Sequence, residues 1–253
     1  MDKTTILNVG MSNVLMNPPS SANFLGSEFN PVSSLPLEQM ISRDLPYQVL
    51  NFVEGQEIFR EGEIPKGLYY VQSGCAKMMV NRDHARGRTT TSEYVTKLVG
   101  AGEYFGYKSL IKGTKSNSTA VAVKPTTLWL YSKDVVERAL QISNPLVKLL
   151  LKQAVMDIEN YENISQLHYL ASVQERIAHQ LLLLADKFGV HSDKGISLNL
   201  KLTRNEFAQL ASTINESLSR HLTEFKAEGL IDINGKEIII KDKQGLKVKS
   251  AIF

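Results

Sequence analysis

The chain is short of the residues that would staple, anchor or steer it. Among its 253 residues there is a single cysteine. That excludes an intrachain disulfide, and any zinc or iron–sulfur site that draws several thiolates from one chain. No apolar run approaches the roughly 18 residues of a membrane-spanning helix. The opening text, MDKTTILNVGMSNVL, has one lysine and broken hydrophobicity, which makes a poor signal peptide. The expectation is a cytoplasmic protein with no membrane partner and with Cys75 reduced.

Charge of one sign is scarce too. The net charge is +3, and no large part of the chain has the basic excess typical of nucleic-acid-binding domains. If DNA is a partner, the arrangement of side chains must reveal it. No nucleophile–base pair, metal-ligand cluster or phosphate-cradling loop stands out, so neither an enzyme nor a metal site is expected. What the chain does have is 43% hydrophobic residues, ample for a packed core in two medium domains or one large one.

Residues 1–45 are rich in Ser, Asn and Pro without periodicity and read as a loosely docked arm, partly flexible. From 46 to 142 the text changes to short apolar or alternating runs, such as GLYYVQSGCAKMMV and STAVAVKPTTLWLYS, punctuated by glycine. These read as an antiparallel β-roll. Cys75, in one such run, reads as a small buried apolar residue rather than a redox sensor. Arg82, Arg86 and Arg88, with His84, read as a solvated hairpin turn or as a surface for an anion or polymerase. Between 143 and 171, Val147, Leu151, Ala154, Ile158 and Tyr161 recur four and three residues apart without a Gly or Pro break. This is a long helix, paired either with a copy of itself or with its own roll; its length favours the copy.

The unit 172–253 reads as helix closed by Gly189, short strand (LNLKL), two helices joined by a tight turn, and a hairpin at Asn234-Gly235. Thr203 and Glu206, three residues apart, form a capping box at the start of the first helix of the pair. On the second, Ile214, Leu218, Leu222 and Phe225 share a buried face. Its other face carries Asn215, Glu216, Ser219, Arg220 and Thr223. Glu216, Ser219 and Arg220 project together; a carboxylate accepts from cytosine N4 and an arginine grips guanine bidentately. The same two charges also suit an ordinary exposed i,i+4 pair, but a second helix placed directly before a hairpin favours DNA reading.

The segment TRNEFAQLASTINESLSRHLTEFKAEGLIDINGKEIII resembles the winged helix-turn-helix of the CRP/FNR transcription regulators. GQEIFREGEIPKGLYYVQSGCAKM and GEYFGYKSL resemble their cyclic-nucleotide-binding roll, and the likeness runs from about residue 46 to 242. It implies an α+β fold: an antiparallel β-roll, a long dimerisation helix and a C-terminal winged helix-turn-helix. It also implies a homodimer on palindromic promoter DNA, with RNA polymerase as a further partner. Glu216 and Arg220 stand at the family's base-reading positions, and Ser219 completes the pattern of the branch that favours TTGA-like half-sites. Thr203, Arg204, Asn205 and Lys236 match phosphate-contact positions. Ser212 departs from the usual turn glycine, which implies a strained turn.

The effector pocket is where the likeness weakens. Cyclic-AMP-binding members place a glutamate after the glycine of their F-G-E motif and an arginine about ten residues on. Here Gly106 is followed by Tyr107, and the arginine position is Ser118, followed by Thr119. Tyr161 and Glu162 lie where the long helix would touch the base. A buried phosphate without its cation is costly, so cyclic AMP is not an expected ligand, and Tyr107 is expected to fill part of the emptied pocket. An iron–sulfur cluster is excluded within one chain, and no cofactor is expected. Haem ligation stays open through Cys75, His84, His168 or His179, although a lone helical His is ordinarily a surface or packing residue. The competing function is a ligand-binding module, for a small effector or haem, whose winged domain contacts protein. Within the leading reading, either an effector resets the hinge near Ala171-Ser172 or the apo-dimer is already competent.

Overall fold

A computed structural model describes residues 45–81, 93–142, 144–198 and 200–250. The expected arm, up to residue 44, and the Arg82, His84, Arg86 and Arg88 cluster lie outside the described residues. The punctuated runs form β1 (Gln48–Phe52), β2 (Glu57–Phe59), β3 (Gly67–Ser73), β4 (Cys75–Asn81), β5 (Glu93–Gly100), β6 (Tyr104–Phe105), β7 (Thr119–Ala122) and β8 (Thr126–Ser132). They build two antiparallel sheets, ordered β1-β8-β3-β6 and β2-β7-β4-β5. A one-turn helix, α1 (Tyr107–Lys112), leaves β6, and α2 (Lys133–Ile142) and α3 (Asn144–Leu170) follow β8.

The strand β3 shows why this layering forms. Its Leu68, Tyr69, Tyr70 and Val71 are all buried, because alternate side chains enter different cores. Tyr69 and Val71 pack inside the roll with Phe59, Phe105, Leu128 and Leu130. Leu68 and Tyr70 face outward, where Val136 of α2 and Leu146, Leu149 and Leu150 of α3 cover them. Two glycines permit the close approaches this needs. A Cβ on Gly67 would lie 1.9 Å from the Tyr131 carbonyl oxygen, and one on Gly106 (φ +85°) would lie 2.8 Å from the Gly67 carbonyl oxygen.

The C-terminal module begins with α4 (Val173–Phe188), whose start is closed by a Ser172–Glu175 capping box. After it come β9 (Gly189–Ser192), β10 (Gly195–Leu198), α5 (Arg204–Leu210), α6 (Asn215–Ala227), β11 (Ile231–Asn234), β12 (Glu237–Ile240) and α7 (Lys243–Ser250). The strands form one antiparallel sheet, β11-β12-β10-β9. Four local expectations shift. The strand predicted at LNLKL sits earlier, at Gly195–Leu198, because it pairs with β9 through a tight turn and with β12; Leu200 and Leu202 pack as irregular chain against the core. The wing turn is centred on Gly235 (φ +61°) and Lys236, since Asn234 pairs with Glu237. Gly189 ends α4 in an extended conformation, which starts β9 at once. Ile214 is the N-cap of α6 and 63% exposed, so it leaves the buried face to Leu218, Leu222 and Phe225.

The two modules share a core. Cys75, Met79, Val95 and Leu98 of the roll cluster with Ile177, Leu181, Leu184 and Phe188 of α4 and with Phe207, Leu218 and Leu222 of the helix pair. Lys187 reinforces this seam, pairing with Glu103 at 2.5 Å and donating to the Leu98 carbonyl at 2.9 Å.

Candidate nucleic-acid interface and the roll–helix pocket

Thr203 caps α5 as the spacing predicted. Its Oγ1 accepts from the Glu206 amide, and Glu206 reaches back to the Thr203 amide at 2.7 Å. Glu206 also pairs with Lys77 of β4, tying the helix pair to the roll. Burial pushes the Glu206 carboxyl upward, but Lys77 and the Thr203 donors outweigh it and hold its pKa below the usual range. The α5–α6 turn passes through Ser212 at φ +50°, the sole non-glycine with positive φ among the described residues. Arg176 of α4 braces that turn. Its guanidinium donates to the Ala171 carbonyl at 2.8 Å and to the Ser212 carbonyl at 3.1 Å, so it bridges the α3–α4 junction and the turn.

The outer face of α6 carries Asn215, Glu216, Ser219, Arg220 and Thr223, all exposed. Among the described residues, neither Glu216 nor Arg220 has an ion-pair partner, so the plain i,i+4 pair is not formed. Thr223 donates to the Ser219 carbonyl at 2.9 Å. The face thus presents one carboxylate, one guanidinium and small hydroxyls to solvent, backed by three buried apolar residues that fix its orientation. Thr203 and Asn205 are exposed at the start of α5. Arg204 and Lys236 line one hollow beside Leu202 and Ile238, which brings a helix start and the wing tip together. Partial burial lowers the Arg204 pKa.

The residues expected to line an effector pocket make the following contacts. Gly106 turns the chain so that Tyr107 points inward and is buried. Ser118 and Thr119 stand at the start of β7: the Ser118 carbonyl accepts from Ser116 Oγ, and Thr119 Oγ1 accepts from the Glu61 amide. Glu162 is exposed. Tyr161, also exposed, lies under Lys108, whose Nζ is 5.2 Å from the ring centroid. Sequence reasoning missed Asp157, Lys97 and Lys108. The Asp157 carboxylate, only 5% exposed, receives Lys97 at 2.5 Å and Lys108 at 2.8 Å, together with the Tyr107 hydroxyl at 2.7 Å. Burial would raise its pKa, but the two ammonium groups and the hydroxyl outweigh that and hold it at about 2. Burial and the Asp157 charge raise the Tyr107 pKa, so it stays protonated as a donor. The available signal was a lysine inside a strand, Lys97, and an acid on the covered face of a helix.

The α3 helix has two faces. Leu146, Leu149, Leu150, Gln153 and Asp157 turn toward the roll. Of the residues expected to meet a second copy, Val147, Leu151, Ile158 and Tyr161 are exposed, at 44%, 63%, 56% and 56%. Ala154 is half-buried against the roll core, and Val155 stands out beside it. Among the candidate haem ligands, Cys75 is fully buried with its thiol pushed up to about 12 by burial, while burial lowers the His179 pKa and keeps the ring neutral. His168 lies exposed beside Tyr169. Among the described residues no group of His, Cys, Asp or Glu converges on a metal position, and no helix is long and apolar enough to cross a membrane.

An antiparallel roll joined by a long helix to an exposed helix-turn-helix face defines a DNA-binding regulator of two modules. Two family models match: a cyclic nucleotide-binding domain over residues 49–143 and a Crp-like helix-turn-helix domain over residues 175–248. A CRP-like cAMP-activated global transcriptional regulator of Mycobacterium tuberculosis is 27% identical over 203 residues, 79% of this chain and 86% of that protein. A global nitrogen regulator of Synechococcus elongatus is 26% identical over 201 residues, 79% and 88% of the two chains. The structure of FixK2 from Bradyrhizobium japonicum shares the fold, with a TM-score of 0.69 at 20% identity over 82% of this chain and 98% of that one. The chain belongs to the CRP/FNR family of transcription regulators.

Proposed function

We propose that this regulator acts as a homodimer on palindromic DNA and reads TTGA-like half-sites through Glu216, Ser219 and Arg220. The observation that carries the reading is the outer face of α6, where an unpaired carboxylate and guanidinium project together from a rigidly backed helix. Thr203, Arg204, Asn205 and Lys236 supply phosphate contacts that set the register, and residues 172–253 form the reading module. The exposed apolar side chains of α3 support pairing of residues 143–171 with a second copy. The roll, residues 46–142, is the sensor or scaffold, and the arm is 1–45. RNA polymerase is the expected protein partner, and the cytoplasm the expected location.

The M. tuberculosis relative is described as cAMP-activated. This chain is read as cAMP-independent, because Tyr107 is buried with its hydroxyl on Asp157 of α3 and the Glu/Arg pair is missing. A gel shift with an inverted repeat of TTGA-like half-sites tests the function. Binding should exceed that of scrambled DNA, and Arg220→Ala should remove about 1–3 kcal/mol of the discrimination. Equal affinity for scrambled DNA overturns the reading. Cyclic AMP should leave the melting temperature unchanged; a large upward shift overturns its exclusion.

A further inference from the structure

We propose that Lys97, Lys108 and Tyr107 form an oxyanion-binding site and that the chain fills it with its own carboxylate, Asp157. The donors come from the roll: Lys97 from β5, and Tyr107 and Lys108 from α1. The acceptor comes from α3, with Gln153 one turn before it adding a longer contact of 3.4 Å. Lys97 and Gln153 address Oδ1, while Lys108 and the Tyr107 hydroxyl address Oδ2. Both oxygens are therefore held from two sides, as a bound carboxylate or phosphate would be.

The charge balance favours this over an ordinary ion pair. Two ammonium groups meet one carboxylate, so the donor set exceeds what a pair needs. Lys108 spreads its charge over the Tyr161 and Tyr107 rings, at 5.2 and 5.9 Å from their centroids. Gly106, in the left-handed region, starts α1 so that Tyr107 and Lys108 reach the site together. With Asp157 in place, the roll is joined to α3 without a small molecule. This rests on the reading of the protein as cAMP-independent and extends it by naming what occupies the site.

The test is anion rescue in the full chain. Asp157→Ala leaves two cations and a buried hydroxyl facing a carboxylate-sized gap, and the melting temperature in chloride should fall by roughly 6–15 °C. Sodium acetate at matched ionic strength should restore about half of that loss, inorganic phosphate less if the gap admits only a carboxylate, and neither should shift the wild type. Adding Lys97→Met and Lys108→Met should abolish the rescue. Asp157→Ser is the second variant, should the alanine form fail to fold in chloride. Folding of either variant in acetate but not in chloride supports the site. A loss in both variants that no anion reverses, or no loss at all, overturns it. Wild-type DNA binding is measured separately, so a failed gel shift and a failed rescue are distinguishable.

Discussion

Asp157 links acid stability to the contact between α3 and the roll. Its pKa falls from an ordinary 3.8 to about 2 in the folded chain, because Lys97, Lys108 and Tyr107 outweigh the burial cost. With the folded value below the unfolded one, the ionised group stabilises fully above about pH 4, and the contribution is lost as pH falls through 2. At about 1.4 kcal/mol per unit this amounts to roughly 2 kcal/mol. The stability difference between wild type and Asp157→Asn should be constant from pH 6 to 8 and shrink between pH 4 and 2. A difference that holds across that window contradicts the assignment. Ser212 makes a second prediction at this scale. A serine at φ +50° carries about 1–2 kcal/mol of local strain, and glycine gives part of it back as chain entropy. Ser212→Gly should raise the unfolding free energy by about 0.5–1 kcal/mol, read as a higher denaturant midpoint at unchanged slope; a lowered midpoint would show that the turn is not strained. The strain was legible from the sequence as a serine at a glycine position. The Asp157 cluster was not, because its members come from 97, 107–108 and 157, and no local spacing joins them.

At the scale of elements, α3 presents apolar side chains on two faces, one buried against the roll and one exposed. Its periodicity predicted one apolar seam, yet the helix buries Leu146, Leu149 and Leu150 against the roll and leaves Leu151 and Ile158 exposed. Substitutions on the two faces should therefore separate. Leu151→Lys with Ile158→Lys should yield a monomer by light scattering, with weakened binding to palindromic DNA and a folded roll. Leu149→Ala should cost roughly 2–5 kcal/mol in stability while the pairing persists in the folded fraction. A lysine double variant that still forms the dimer would remove α3 from the interface. The element boundaries themselves were readable where chemistry is local. The Thr203–Glu206 cap, the buried Leu218, Leu222 and Phe225 face of α6 and the presence of a wing hairpin, though not its turn centre, each follow from a few neighbouring residues. The LNLKL strand was misplaced because alternation alone does not choose a register; β9 and β12 choose it.

For the whole molecule, the governing feature is that the roll and the reading module share a core. Gln209 of α5 completes the edge of β5, accepting from the Val95 amide at 2.8 Å and donating to the Glu93 carbonyl at 3.2 Å. Tyr94 adds a hydroxyl bond to the Gln209 carbonyl. With Cys75, Met79, Val95 and Leu98 packed beside α4, calorimetry should show a single cooperative transition. Gln209→Ala should cost about 1–2 kcal/mol by stranding two edge groups, and it should speed hydrogen exchange at the Val95 amide. Two well-separated transitions in the wild type would show that the modules are independent. The sequence by itself determined what short-range physics governs: caps, turns, helix faces, the single buried thiol and the exposed polar face of α6. The tertiary structure decided which distant residues converge. Asp157 meets two lysines, Gln209 meets a strand edge, and α3 divides its faces, because burial and charge pairing act across the fold and leave no period in the chain.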